Sequence, residues 1–419
     1  MVSSLCQAAR GGVKMKIEEM PAEFKHARPI VKTLVEHGYE AYFVGGAVRD
    51  TLLGRPIHDV DIATSAYPSE VKALFKKTVD TGIEHGTVMI LDHGQGYETT
   101  TFRTETGYSD FRRPDQVNFV RSLEEDLKRR DFTVNALAMD GDGQIVDLFG
   151  GLTDLKAGLI RAVGSPKDRF FEDALRMIRA VRFAAQLGFK IEPATLAAIK
   201  ENAPLLDKIA IERVNVEFTK MMEAPGAYFG FIELLAGELN HYMPGLTVAD
   251  IDLLGYADLV KQARPQNDQQ AWTLLAFELG LTAEDTVVFL KGWKHSRHLI
   301  VTAQKSITLL NKLRMGPVSN WDLYITGKAI DTALAVAKLS ELVVDVATLQ
   351  ARYDQLSIKQ SHDLALTGSD LMREFGLKPG PLVGTVLSKL ERAVVAGKVA
   401  NQAASLGVAA QKLIKEEKD

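Results

Sequence analysis

The stretch AYFVGGAVRDTLLGRPIHDVD, residues 41–61, decides the fold. AYFV is a short β-rich run, Gly45-Gly46 is a turn, and the run behind it reads as a helix. Two glycines let a backbone approach a phosphate closely, and the free N–H groups at a helix start attract anions. Arg49 lies three residues past Gly46, so one turn carries its side chain to the same end. Taken alone, this is equally an ordinary Gly-Gly turn with a surface arginine. DVDIAT then reads as a strand, so Asp59 and Asp61 share one face while Val60 and Ile62 point to the core. Two adjacent anions repel unless a cation lies between them, and Mg²⁺ takes carboxylate together with phosphate oxygens. A solvated pair at a strand end is the plainer alternative.

Working outward, Pro68 opens a helical pattern, SEVKALFKK, in keeping with proline's preference for a first turn. GTVMILD and YETTTFRT read as strands separated by the turn HGQG. Glu98, in the second of these strands, is a candidate third carboxylate for the aspartate pair, or else an exposed strand glutamate. RRDFTVNALAMD followed by GDGQIVDLF reads as helix, turn and strand. These runs predict an α+β domain with a small, mostly antiparallel sheet. Beyond Phe149 the strand signals stop, and apolar residues recur at helical spacing to the end of the chain.

At 419 residues two or more domains are expected. No run of about 18 apolar residues is present, so no membrane span is expected. The start, MVSSLCQAARGGVKMKIEEMP, has no apolar stretch long enough for a signal peptide and reads as a disordered extension, with Met15 an alternative start. The single cysteine, Cys6, fits a reducing, cytoplasmic setting. Residues 291–419 carry 18 Lys/Arg against 12 Asp/Glu, and residues 1–150 carry 18 against 23. Phosphates held by the C-terminal part and cations by the N-terminal part would give that split, as would chance.

Two further runs bear on chemistry. Arg129-Arg130-Asp131-Phe132-Thr133-Val134-Asn135-Ala136 offers Arg130 to a sugar or triphosphate, with Phe132 packing inward. In Glu172-Asp173-Ala174-Leu175-Arg176, helical spacing makes Glu172 and Arg176 neighbours, so the glutamate can hold the guanidinium in a fixed plane. Asp173 and Arg176 then present an acceptor and donors side by side. That pair suits the exocyclic amines and ring nitrogens of cytosine and adenine, whereas uracil and guanine would set a carbonyl against Asp173. Arg179 and Arg182 follow on the same helix and can meet phosphate or base. A surface ion-pair ladder on a solvated basic face has the same spacing.

The order Gly-Gly, Arg49, then Asp-x-Asp resembles the nucleotidyltransferase superfamily whose catalytic domain is like that of DNA polymerase β. The run at 129–136 is similar to the Arg-Arg-Asp-Phe-Thr-x-Asn-Ala motif of class II tRNA nucleotidyltransferases and bacterial poly(A) polymerases. Glu172–Arg176 resembles the nucleotide-templating motif of the former. Asp147–Leu155 resembles their flexible element between head and neck, and Glu212-Arg213-Val214-Asn215-Val216-Glu217 their helix-capping motif. GYSDFRRPDQVNFV resembles the loop needed for the final adenosine, and GPLVGTVLSKLERAVVAGKVAN their tRNA-gripping tail. The likeness spans roughly residues 20–402.

The resemblance implies an extension at 1–20, a catalytic head at 21–150, a neck with the templating helix at 151–225, a helical body at 226–310 and a tRNA-binding tail at 311–419. It implies addition of C, C and A to tRNA from CTP and ATP. Gly46, Arg49, Arg130, Asp173, Arg176, Arg179 and Arg182 would bind the nucleotides, Glu172 would orient, Asp59, Asp61 and Glu98 would be catalytic, and Asp59 and Asp61 would hold Mg²⁺. It admits a homodimer. Poly(A) polymerases carry a basic Gly-Arg-Arg-Phe-like run after the acidic pair, where this chain has Thr81-Gly82-Ile83-Glu84-His85-Gly86-Thr87. Tailing with A alone, partial C-only or A-only addition, and a non-catalytic RNA-binding protein are the alternatives. His362-Asp363 stands alone, so no His-Asp phosphohydrolase activity is expected.

Overall fold

The computed structural model describes residues 15–106, 116–247 and 249–417. Most of the expected N-terminal extension and residues 107–115 of the expected adenosine loop lie outside the described residues. The chain divides into two compact units, Met1–Val248 and Ala249–Asp419.

The first unit begins with α1 (Ala22–Glu36), which buries Phe24, Ala27, Ile30, Val31 and Leu34 on one stripe. Phe24 meets Phe43 of β1 (Ala41–Val44) edge to face at 4.9 Å. There follow α2 (Gly46–Leu52), β2 (Asp61–Thr64), α3 (Pro68–Leu74), β3 (Thr78–Gly82), β4 (Thr87–Asp92) and β5 (Gln95–Thr101). The expected helix after Tyr67 is present, with Pro68 in its first turn and the Tyr67 N–H donating to Glu70 at 2.6 Å. β6 (Arg103–Thr106) and β7 (Gln116–Phe119) pair as a separate ribbon before α4 (Leu123–Lys128), β8 (Leu137–Met139) and β9 (Ile145–Asp147).

The main sheet has seven strands in the order β3-β4-β5-β2-β1-β8-β9. Only β2 and β5 run parallel; every other adjacent pair is antiparallel. Around Phe102, a core of Val44, Ala63, Leu123, Leu127, Ala136, Ala138 and Val163 closes one side of it. Each such large side chain contributes roughly 1.5–3 kcal/mol by leaving water.

Two expectations need correction. The run RRDFTVNALAMD was expected to be helical, but it forms one 3₁₀ turn, Thr133–Asn135, and then strand β8. β8 is buried along its whole length between β1 and β9, so it lacks the polar alternation by which a strand announces itself. Strand structure also does not stop at Phe149: after α5 (Gly151–Ala157), β10 (Leu159–Ile160) pairs in parallel with β11 (Lys190–Ile191). Two-residue strands are too short to leave a periodic signal.

Between those strands lie α6 (Pro166–Glu172) and α7 (Leu175–Leu187), and α8 (Pro193–Asn202), α9 (Ile211–Met222) and α10 (Ala227–Ala236) complete the unit's α-helices. The second unit, among its described residues, is all helical. Trp272, Trp293, Tyr256 and Phe277 fill its interior. Asn267, Thr282, Ser296, Ser319, Asp345 and Thr367 each cap a helix through a side-chain oxygen, as short polar residues do. No described helix is long and apolar enough to cross a membrane.

Candidate functional site

Val60 and Ile62 are buried while Asp59 and Asp61 are exposed, the alternation that the DVDI run predicts. Asp61 opens β2, and Asp59 lies just before it. β2 and β5 pair in parallel with Ile62 opposite Thr99, which sets Asp61 beside Glu98 on one face of the sheet. Loss of surrounding water pushes the Asp61 carboxyl up, Glu98 and Asp59 push it further, and Arg130 opposes them. Asp61 is thus coupled electrostatically to both Glu98 and Asp59. Among the described residues no ready-made cluster of three or more His, Cys, Asp or Glu ligands forms.

Gly45 stands between these acids and the cations. Its φ of 73° and ψ of −137° suit glycine alone. A Cβ there would lie 3.2 Å from Arg130 Nη1 and 4.0 Å from Asp61 Oδ2. Gly46 is the first residue of α2. Arg49, which the sequence places at the same end, is buried rather than free: Nε and Nη2 each donate to Asp50 at 2.9 Å, and Nη1 donates to Asn135 Oδ1 at 2.6 Å.

Asn135 passes the connection on. Its Nδ2 donates to Asp131 Oδ1 at 3.1 Å, and Asp131 Oδ2 accepts from Arg179 Nε and Nη2 at 2.8 and 2.6 Å. A buried chain Arg49–Asn135–Asp131–Arg179 therefore ties three separate sequence motifs together. Burial alone would raise the Asp131 carboxyl, but the Arg179 charge, hydrogen bonds from Asn135 and Arg179, and the Arg176 charge outweigh it and bring it down to about 2. Arg130 donates to the Asn135 carbonyl at 3.2 Å and to Asp126 at 3.4 Å, while its buried Nε finds no partner among the described residues.

The Glu172–Arg176 run needs one correction. Asp173 is not within a helix: α6 ends at Glu172, Asp173 is extended at φ −139° and ψ 101°, and α7 starts at Leu175. Glu172 and Arg176 nonetheless meet across the break, Arg176 Nη1 donating to Glu172 Oε2 at 2.8 Å. Arg176 also donates to the Arg129 carbonyl at 3.1 Å. Asp173 Oδ1 accepts the Leu175 N–H at 3.1 Å, an aspartate doing at a helix start what its short side chain does best. Its Oδ2 lies 3.7 Å from Arg213 Nη2 on α9.

Arg176, Arg179 and Arg182 follow at three-residue steps on α7. Arg182 is buried, with Nε 3.0 Å from Glu217 Oε2 of α9, and Arg179 lies 3.9 Å from the same carboxylate group. Burial pulls Arg182 down to about 10 against the pull of Glu217. The Phe183 ring lies under three guanidiniums, those of Arg182 at 4.1 Å, Arg49 at 5.3 Å and Arg179 at 5.4 Å. Like charges that close are tolerable only with an aromatic face and acids among them.

Asp131, Asn135, Phe183, Arg213 and Glu217 carry no individual role in the sequence reading. The first two sit inside the quoted Arg-Arg-Asp-Phe-Thr-x-Asn-Ala run, the last two inside the quoted Glu212–Glu217 run, and Phe183 had no signal. Elsewhere, Ile83–His85 forms a 3₁₀ turn between β3 and β4. Asp363 is occupied locally, accepting the Lys359 and Gln360 N–H groups.

The chain matches a family described as the Poly A polymerase head domain over residues 41–161, and tRNA nucleotidyltransferase domain 2 over residues 263–410. It is 54% identical over 403 residues to a CCA-adding enzyme of Limosilactobacillus fermentum, covering 96% of this chain and all of that one. A CCA-adding enzyme of Limosilactobacillus reuteri is 51% identical, with 96% and 100% covered. Among solved structures, the Bacillus stearothermophilus CCA-adding enzyme in complex with CTP superposes with a TM-score of 0.84 at 40% identity, covering 95% of this chain and 100% of that one.

Proposed function

The chain belongs to the family of CCA-adding enzymes, and on that footing we propose that it adds C, C and A to the 3′ end of tRNA from CTP and ATP without a nucleic-acid template. The observation that carries the reading is the chain Arg49–Asn135–Asp131–Arg179, which joins the glycine turn, the Arg-Arg-Asp-Phe segment and the templating helix into one polar site. These substrates put the reaction in the cytoplasm. Catalytic head, neck, body and tail follow with the boundaries inferred above, supported by a mixed sheet whose last strand ends at Asp147.

In each cycle the tRNA 3′-hydroxyl oxygen bonds to the α-phosphorus while the bond to the β-phosphate oxygen breaks, releasing pyrophosphate. Asp173 accepts from the exocyclic amine of C or A, and Arg176, fixed by Glu172, donates to the ring. Arg130, Arg179 and Arg182 hold sugar and phosphates, with Gly45 and Gly46 giving close access. Arg49 reaches the nucleotide by exchanging its Asp50 partner. Positioning of this kind supplies most of the rate in phosphoryl transfer.

The donor set suits Mg²⁺: all oxygen and anionic, with Asp61 raised by loss of water and further by repulsion from Glu98 and Asp59. Asp59 and Asp61 would hold the ion, with Glu98 alongside. When bound, it neutralises charge that develops on the reacting oxygens.

The test is a product-length assay. A tRNA lacking its CCA end is incubated with CTP and ATP, together and singly. Three added nucleotides with both, and two with CTP alone, are expected; long A tails or single additions would overturn the reading.

A further inference from the structure

We propose that Arg55 is a positioning residue: from the end of α2 it pins the C-terminus of α7, and so keeps the base-reading residues at the start of α7 in register with Asp59 and Asp61. The inference rests on Asp173 as a reader of the incoming base.

The carbonyls of a helix's last turn find no partners further along the helix. In α7 the Ala184 carbonyl accepts the Gly188 and Phe189 N–H groups at 2.9 and 3.2 Å, and the Ala185 carbonyl accepts the Gly226 N–H at 3.0 Å. The next two are met from 131 and 132 positions away. Arg55 Nη1 donates to the Gln186 carbonyl at 2.6 Å, and Nη2 donates to the Leu187 carbonyl at 3.0 Å. One planar fork closes the helix end, and its charge suits the negative pole of the helix dipole.

The root of Arg55 is fixed as well as its tip. At the end of α2 the Gly54 N–H donates to the Thr51 carbonyl at 3.0 Å and the Arg55 N–H to the Asp50 carbonyl at 2.8 Å, around a left-handed Gly54 with φ 65°. This double closure holds Arg55 against the helix that carries Arg49. Arg49 is itself linked to α7 through Asn135, Asp131 and Arg179. α2 therefore grips α7 at two places, and the second grip opposes rotation of α7 about the first. Asp59 follows Arg55 by only four residues. Arg55 lies at the surface, where water can replace it on the two carbonyls, so its loss disturbs alignment more than stability.

A base read at Asp173 brings its α-phosphate to Asp59 and Asp61 only while the two parts of the site keep their spacing. A misplacement of about 1 Å can cost about a hundredfold in rate. UTP gains little from Asp173 and has less to lose.

Initial rates of CMP and UMP incorporation onto tRNA lacking its CCA end, measured beside the melting temperature of the full chain, test this. Arg55→Ala should lower CMP incorporation roughly tenfold to a hundredfold and UMP incorporation less, so that the UMP:CMP ratio rises while the melting temperature stays near that of wild type. Arg55→Met keeps the side-chain stem and serves if the alanine variant does not fold. Arg55→Lys still offers a charged donor to the helix end and should recover part of the loss. Asp173→Ala removes the reader, and adding Arg55→Ala to it should lower CMP incorporation much less than in wild type. A merely structural Arg55 would slow both nucleotides alike, lower the melting temperature and multiply in full with Asp173→Ala; that result overturns the inference. A lysine variant no better than alanine overturns it too. A wild-type UMP:CMP ratio in Asp173→Ala overturns the reading of Asp173 itself.

Discussion

Two groups of acids in the first unit are built in opposite ways. Asp59, Asp61 and Glu98 are exposed residues, and Asp61 is raised first by loss of water around its carboxyl and then by repulsion from Glu98 and Asp59. Asp126 and Asp131 are buried, and each faces arginines at hydrogen-bond distance. Acids of the first kind are costly until a cation arrives from outside; acids of the second kind hold structure with cations the chain itself provides. On the proposed reading, the first group serves the chemistry and the second fixes the frame around it.

The largest expected effect breaks the first group. Asp61→Ala should lower nucleotide incorporation by on the order of 10³-fold or more, with tRNA binding by gel shift nearly unchanged. Near-normal turnover would remove the metal assignment. Next, Asp131→Asn leaves Arg179, a third exposed and still 3.9 Å from Glu217, without its hydrogen-bonded counter-charge, which costs about 1–3 kcal/mol. The melting temperature should fall by roughly 2–12 °C for a unit of this size.

The pH dependence sharpens the contrast. Asp131 is held at about 2 in the folded chain against an ordinary 3.8. A depressed carboxyl stabilises the fold fully above its unfolded value, and that contribution drains away as pH falls from near 4 through about 2. The gap in melting temperature between wild type and Asp131→Asn should therefore narrow below pH 4; a constant gap would show that the charge is not the source.

Gly45→Ala places a side chain in a conformation costing roughly 1–3 kcal/mol and pushes on Arg130. CTP turnover should drop by about tenfold to a hundredfold while the fold survives, as circular dichroism would show. The smallest effect belongs to Lys72–Asp80, an exposed pair at 3.0 Å. Lys72→Ala should change stability by less than about 1 kcal/mol in chemical denaturation and leave incorporation untouched.

Much of this site is legible in the residue order. Alternation at Val60 and Ile62 exposes Asp59 and Asp61, and local strand periodicity determines it, so a linear reading reaches it. The Glu172–Arg176 pair that helical spacing predicts also forms, but across an interrupted helix. The helix break at Asp173 was hidden, because nothing in Glu-Asp-Ala-Leu-Arg disfavours a continuous helix and the break arises from the Leu175 N–H and the packing around it. The Asn135–Asp131–Arg179 link was hidden for a different reason: its members are 48 positions apart at Asp131 and Arg179, and only the tertiary fold brings them together. Strand β8 escaped because complete burial erased its alternation.

The most direct test of the contrast is an electron paramagnetic resonance titration with Mn²⁺, a spectroscopic stand-in for Mg²⁺, in the presence of CTP. Wild type and Asp131→Asn should take up the ion alike, whereas Asp59→Asn and Asp61→Asn should leave the free Mn²⁺ signal at the level set by CTP alone. Undiminished uptake by the Asp59 and Asp61 variants would contradict the assignment of the exposed acids as the cation's seat.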